Sequence, residues 1–112
     1  QLGDAGGIET TAYDSAAETG TTVASSTIGL LVTAVNGASS VLRGSITLNL
    51  ESGTTWMETG SVYRDATATV HVSGGLKPLS AELTQVRITT VNGTDAFDGS
   101  AGSGINIQYE TS

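Results

Sequence analysis

Val41-Leu42-Arg43-Gly44-Ser45-Ile46-Thr47-Leu48-Asn49-Leu50 is the stretch on which the fold turns. Ile46, Leu48 and Leu50 alternate with Ser45, Thr47 and Asn49. Successive side chains of a strand point to opposite faces, so this period predicts a strand with one apolar face and one wet face. Ser52-Gly53 closes it as a turn. The same period recurs downstream. Residues 61–72 read as one strand, with Ala66, Ala68, Val70 and Val72 on the buried face and Thr67, Thr69 and His71 exposed. Leu79, Ala81 and Leu83 share a face, and Val86, Ile88 and Thr90 resume after a phase slip at Thr84-Gln85 that predicts a β-bulge. Ile105, Ile107 and Tyr109, alternating with Asn106 and Gln108, predict a last strand.

Upstream, residues 26–34 are apolar and short enough for a strand. Residues 1–22 are polar and Gly-rich and predict a short strand followed by loop, with 8–13 pairing at a sheet edge. Asn36-Gly37, Ser73-Gly74-Gly75 and Asn92-Gly93 predict turns. Pro78 is expected near a strand start, where a missing N–H is tolerated. No segment has a helical apolar stripe. About seven or eight short strands separated by turn signals predict an all-β, antiparallel β-sandwich, jelly-roll-like, in one domain over residues 1–112.

Charge narrows the partners. The net charge is −7, and Arg43, Arg64, Lys77 and Arg87 are the only basic side chains apart from the single histidine. Phosphate neutralisation needs clustered cations, so neither nucleic acid nor an anionic membrane is an expected partner. The chain has no cysteine, which removes disulfides, thiolate metal sites and cysteine nucleophiles. No apolar run reaches the roughly 18 residues of a membrane span, and no signal-peptide pattern opens the sequence.

Few side chains suggest chemistry. His71 reads as an exposed strand residue, with no Gly-x-Ser-x-Gly elbow and no second histidine to build a metal site. The acids, Glu58 and Asp65 among them, read as solvated surface groups and not as a glycosidase pair. Asp95 and Asp98 are a weak Ca²⁺ candidate without EF-hand spacing, and an Asx turn is the favoured reading of that loop. Trp56, Tyr63, Tyr13 and Tyr109 offer faces for sugar stacking, although Trp56 and Tyr109 are expected to pack at the edge of the core. A glycan site is expected first at Tyr63, Arg64 and Asp65, with Trp56 nearby. No cofactor is expected, and the chain is expected not to be an enzyme.

The run from Leu83 to Asp98, with Val86-Arg87-Ile88-Thr89-Thr90-Val91-Asn92-Gly93-Thr94-Asp95 at its centre, and the closing Gly104-Ile105-Asn106-Ile107-Gln108-Tyr109-Glu110 resemble the ending of a family of distal domains from tailed-phage tail fibres and tailspikes. The opening Gln1-Leu2-Gly3-Asp4-Ala5-Gly6-Gly7-Ile8-Glu9, Gly44-Ser45-Ile46-Thr47-Leu48-Asn49-Leu50 and Thr55-Trp56 resemble internal segments of the same family, so the resemblance spans almost the whole chain. The loop Gly99-Ser100-Ala101-Gly102-Ser103-Gly104 is longer than the family's turn. The resemblance implies a virion surface domain, extracellular after host lysis, that contacts host surface polysaccharide or other virion subunits. It also implies a homo-oligomer, a trimer in many fibre tips. The competing implication is a purely structural decoration, trimerisation or fibre-assembly module. Family members carry further strands before the segment that Gln1 opens here, so a fragment, or a sheet completed by a neighbouring chain, is expected.

Overall fold

The computed structural model describes residues 1–35, 40–97 and 104–110. Its strands are β1 (Leu2–Asp4), β2 (Gly7–Ile8), β3 (Asp14–Glu18), β4 (Val23–Ser26), β5 (Leu42–Ser52), β6 (Thr55–Arg64), β7 (Thr69–Pro78) and β8 (Gln85–Val86). They form two sheets, β2-β1-β8 and β4-β3-β7-β6-β5, with every pairing antiparallel. The fold is an all-β sandwich. The β5–β6–β7 meander is local, whereas β4 connects to β5 at the opposite edge of the sheet. Such a long return is what Greek-key and jelly-roll sheets share.

The alternating stretch at 41–50 is strand β5, and Gly53 turns it into β6 with φ +55°. The bulge lies here, between Leu50 and Ser52, and not at Thr84-Gln85. The strand expected over 61–72 is two strands. β6 ends at Arg64, Asp65–Thr67 form a 3-10 turn, and Ala68 takes the left-handed conformation at φ 50°. The reversal contains no Gly, Asn or Pro to signal it. Asp65 builds it instead: its carbonyl accepts from the Ala68 N–H at 3.2 Å, and its carboxylate accepts from the Val41 N–H at 2.9 Å.

This reversal decides which side of β7 is buried. Cross-strand partners share a face, and β6 and β7 pair Trp56 with Lys77, Gly60 with Ser73 and Val62 with His71. The inward side of β7 therefore carries His71, Ser73, Gly75 and Lys77. Val70, Val72 and Leu76 point outward and are exposed. The expected facing of this strand is inverted, and His71, expected in solvent, is completely buried.

Other expectations shift as well. Ser73, Gly74 and Gly75 lie inside β7, not in a turn. Gly75 is needed for close packing, because a Cβ there would sit 2.8 Å from Leu30 Cδ2 and 2.9 Å from Ser15 Cβ. Pro78 ends β7 and does not start a strand. Residues 1–22 hold three strands, not one. Of residues 26–34, only Ser26 is in a strand; Leu30, Leu31 and Ala34 lie against the inner face of the large sheet. Between 79 and 90 only β8 is regular. Residues 105–109 form no strand, and Ile105, Ile107 and Tyr109 are exposed. Asn92-Gly93 is a turn as expected, with Gly93 at φ +70°. Asn36-Gly37 lies outside the described residues.

The buried apolar set among the described residues is small: Leu2, Tyr13, Ala17, Leu31, Val62 and Leu79. Polar contacts do the rest of the joining where the sheets meet. The Tyr13 hydroxyl accepts from the Leu2 N–H at 2.7 Å and donates to the Glu9 carbonyl at 2.9 Å. Lys77 is buried over the Tyr13 ring, 4.9 Å from its centroid, donates to the Thr11 carbonyl at 2.9 Å and pairs with the Glu9 carboxylate. Ser80 donates its hydroxyl to Glu9 at 2.6 Å and lies 2.8 Å from Asp4 Oδ2. The bonds from Lys77 and Ser80 hold the Glu9 carboxyl down at about 2.

Relieving the left-handed strain with Ala68→Gly should raise stability by about 0.5–1 kcal/mol, after allowing for the greater unfolded-chain freedom of glycine; urea denaturation reads it, and a loss of stability would refute the strain. Glu9→Gln strands a buried ammonium and should cost about 2 kcal/mol, below the range for fully buried pairs because water reaches Glu9. Lys77→Met keeps the stem volume and leaves a carboxylate that can hydrate, so it should cost less. The Glu9 pKa is lowered on folding, so its contribution is present above the ordinary carboxylate value and is lost as pH falls through about 2. Glu9→Gln should abolish that part of the acid transition.

Candidate functional site

The inner face of β6 and β7 concentrates the buried ionisable groups. Glu58 is fully buried, and Ser73 Oγ donates to its Oε1 at 2.8 Å. Gly60 makes the room: a Cβ there would lie 2.7 Å from Ser73 Oγ and 2.9 Å from Glu58 Oε1. Burial raises the Glu58 pKa, and the Ser73 bond offsets this only in part. His71 Nδ1 accepts from the Ala34 N–H at 3.1 Å, which places the proton of the neutral ring on Nε2. Burial, and secondarily the Arg64 charge, lower the His71 pKa. Glu58 Oε2, His71 Nε2 and Trp56 Nε1 are buried and have no hydrogen-bond partner among the described residues. The cluster resembles an acid–base site in composition, yet Glu58 and His71 have no solvent exposure through which a substrate could reach them.

The residues singled out from sequence do not converge. Trp56 and Tyr63 lie on the same strand at opposite parity, so Trp56 faces inward and half-buried while Tyr63 is exposed on the outer face. Arg64 faces inward beside β5 and donates Nε–H to Ser40 Oγ at 2.8 Å. Asp65 is committed to the reversal. The side chain that accompanies Tyr63 on the outer face is Arg43, its registered partner on β5. Tyr13 is buried in the joint and offers no stacking face. Tyr109, expected at the core edge, is 84% exposed.

Asp95 accepts from Asn92 Nδ2 at 2.8 Å, and Asn92 Oδ1 accepts from the Thr94 and Asp95 N–H groups at 3.1 Å, the Asx turn expected for this loop. Asp98 lies outside the described residues. Among the described residues no three His, Asp or Glu side chains are placed to hold a metal ion. No helix there is long and apolar enough to cross a membrane.

What the sheet does offer is uncovered apolar surface. On the outer face Tyr63 and Val70 are paired neighbours, as are Met57 and Leu76, and all four are exposed together with Val72 and Val23. On the inner face, the side chains of β5 are poorly covered: Ile46 and Leu50 are exposed, and Leu42 and Leu48 are half-buried. Monomeric domains rarely expose large contiguous patches of this kind. Period two predicts the β5 strand, but the sequence carries no signal that Ile46 and Leu50 are left exposed on its inner face.

No protein-family model matches the chain, and no curated protein and no solved structure shows significant similarity to it.

The two shifted groups act in opposite directions with pH. The folded His71 pKa is lowered, so the unfolded chain takes up that proton first and stability declines as pH falls below about 6.5. The folded Glu58 pKa is raised, so its contribution is full below about 4.3 and is lost as pH rises towards the folded value. Glu58→Gln removes the opposing effect. Its stability should rise more steeply than that of the parent between pH 4.5 and 7 in urea titrations, and parallel curves would contradict the assignment.

Proposed function

We propose that this chain is a non-catalytic assembly domain, of the kind found in phage fibres and spikes, whose working surfaces contact neighbouring subunits at a virion exterior. The observation that carries this reading is the uncovered apolar face of β5, with Leu50 55% exposed on the same side of the sheet as the core. A sandwich that leaves part of its inner face open is suited to being finished by another subunit. The resemblance of the opening, central and closing segments to tail-fibre and tailspike domains supports the virion setting. The absence of a basic cluster fits protein surfaces better than nucleic acid.

A second reading has one specific observation behind it. Tyr63 is exposed beside Arg43 on an outer face that also carries Thr47, Ser61 and Thr59. An aromatic plate flanked by hydroxyls and one guanidinium suits a host polysaccharide.

Sedimentation equilibrium and a glycan array separate the two. Assembly predicts a mass at least twice the 11.2 kDa of the chain, reduced to the monomer by Leu50→Glu or Ile46→Glu. A folded monomer at all concentrations would defeat it. Glycan retention lost in Tyr63→Ala would establish the second reading.

A further inference from the structure

Two halves of a missing strand pair are present in the same chain. β5 is an edge strand of eleven residues, and among the described residues its only strand neighbour is β6. Its free edge presents unpaired backbone donors and acceptors. Neither Pro nor Lys interrupts it, and its only charged residues are Arg43 and Glu51. Its inner side chains, Leu42, Ile46, Leu48 and Leu50, form an apolar row that the other described residues leave half-buried to exposed.

The second half is the segment 105–109. Ile105, Ile107 and Tyr109 alternate with Asn106 and Gln108, the pattern of a strand with one face to bury. All three apolar side chains are more than 60% exposed, and the segment carries no charge. Among the described residues of one chain, both the edge and the segment stay unpaired.

We infer that residues 105–109 of one copy add as a strand to the free edge of β5 in a second copy, with Ile105, Ile107 and Tyr109 continuing the apolar row of Ile46, Leu48 and Leu50. Strand addition satisfies the edge through main-chain hydrogen bonds, while the alternating side chains set the register parity. The chain's charge of −7 opposes self-association, but the pairing places an uncharged segment against a strand whose two charges cancel, so the local penalty is small. The inference rests on the assembly reading above and specifies how the subunits join.

The chain has no cysteine, so crosslinking is clean. Leu48→Cys chains, isotopically labelled, are mixed with unlabelled chains carrying Ile105→Cys, Ile107→Cys or Tyr109→Cys, and oxidised. At least one mixture should give a mixed-label disulfide dimer by mass spectrometry, whereas Asn106→Cys, on the other face, should give none. In parallel, Ile107→Glu should bring the sedimenting mass down to that of the monomer while leaving the circular dichroism spectrum unchanged. A chain that stays oligomeric with Ile107→Glu and gives no mixed-label crosslink overturns the strand exchange but leaves assembly standing, through the outer face of β7. A parent chain that sediments as a monomer overturns both. Crosslinking confined within single chains carrying Leu48→Cys with Ile107→Cys also overturns the exchange, because the segment then completes its own sheet.

Discussion

The inward side of β7 carries His71, Ser73, Gly75 and Lys77 and not one aliphatic side chain, and this constraint organises the molecule. A buried polar group without a partner costs about 1–3 kcal/mol, so His71, Ser73 and Lys77 each call for a neighbour that can bond to them. The segment after β4 meets His71 through the Ala34 N–H, Glu58 meets Ser73, and the turn before β3 meets Lys77 through the Thr11 carbonyl and the Glu9 carboxylate. Leu30 packs where Gly75 leaves room. The pieces that close the sandwich are therefore those that answer β7, and β5, two strands away, is left with its apolar row uncovered.

The same constraint links stability to the proposed assembly. Burial of Glu58 and His71 shifts each towards its uncharged form, which makes folding sensitive to pH from both sides. The aliphatic side chains displaced from the interior of β7, Val70, Val72 and Leu76, appear instead on the outer face. A chain with a small apolar core and much apolar surface would gain stability from contact with other subunits, because association removes that surface from water.

The sequence disclosed the architecture through period two at residues 41–50 and through Gly53, which places the β5–β6 hairpin. It did not disclose the orientation of β7. Val70 and Val72 alternate with Thr69 and His71 as a strand with a buried aliphatic face should, and alternation alone cannot say which face is inside when the polar side finds partners. Those partners, Ala34, Glu58 and Glu9, are distant in sequence. The reversal at Asp65–Thr67 was hidden because Ala68, not glycine, takes the left-handed conformation. Of the candidate site residues, Tyr63 is exposed, as a stacking face requires. Trp56 and Arg64 point away from it by parity of position along β6, which the count from 56 to 63 already contained. Asp65 sits beside Tyr63 in sequence as a glycan-site candidate, but its carboxylate accepts from the Val41 N–H and serves the reversal.

Nitrogen NMR of the His71 ring tests the inverted burial of β7 most directly. The account predicts a neutral ring with its proton on Nε2 and a bare Nδ1 accepting from the Ala34 amide, with a pKa lowered from the ordinary histidine value. A ring that titrates near 6.5 with exchanging tautomers would show His71 in solvent, and would return Val70 and Val72 to the interior.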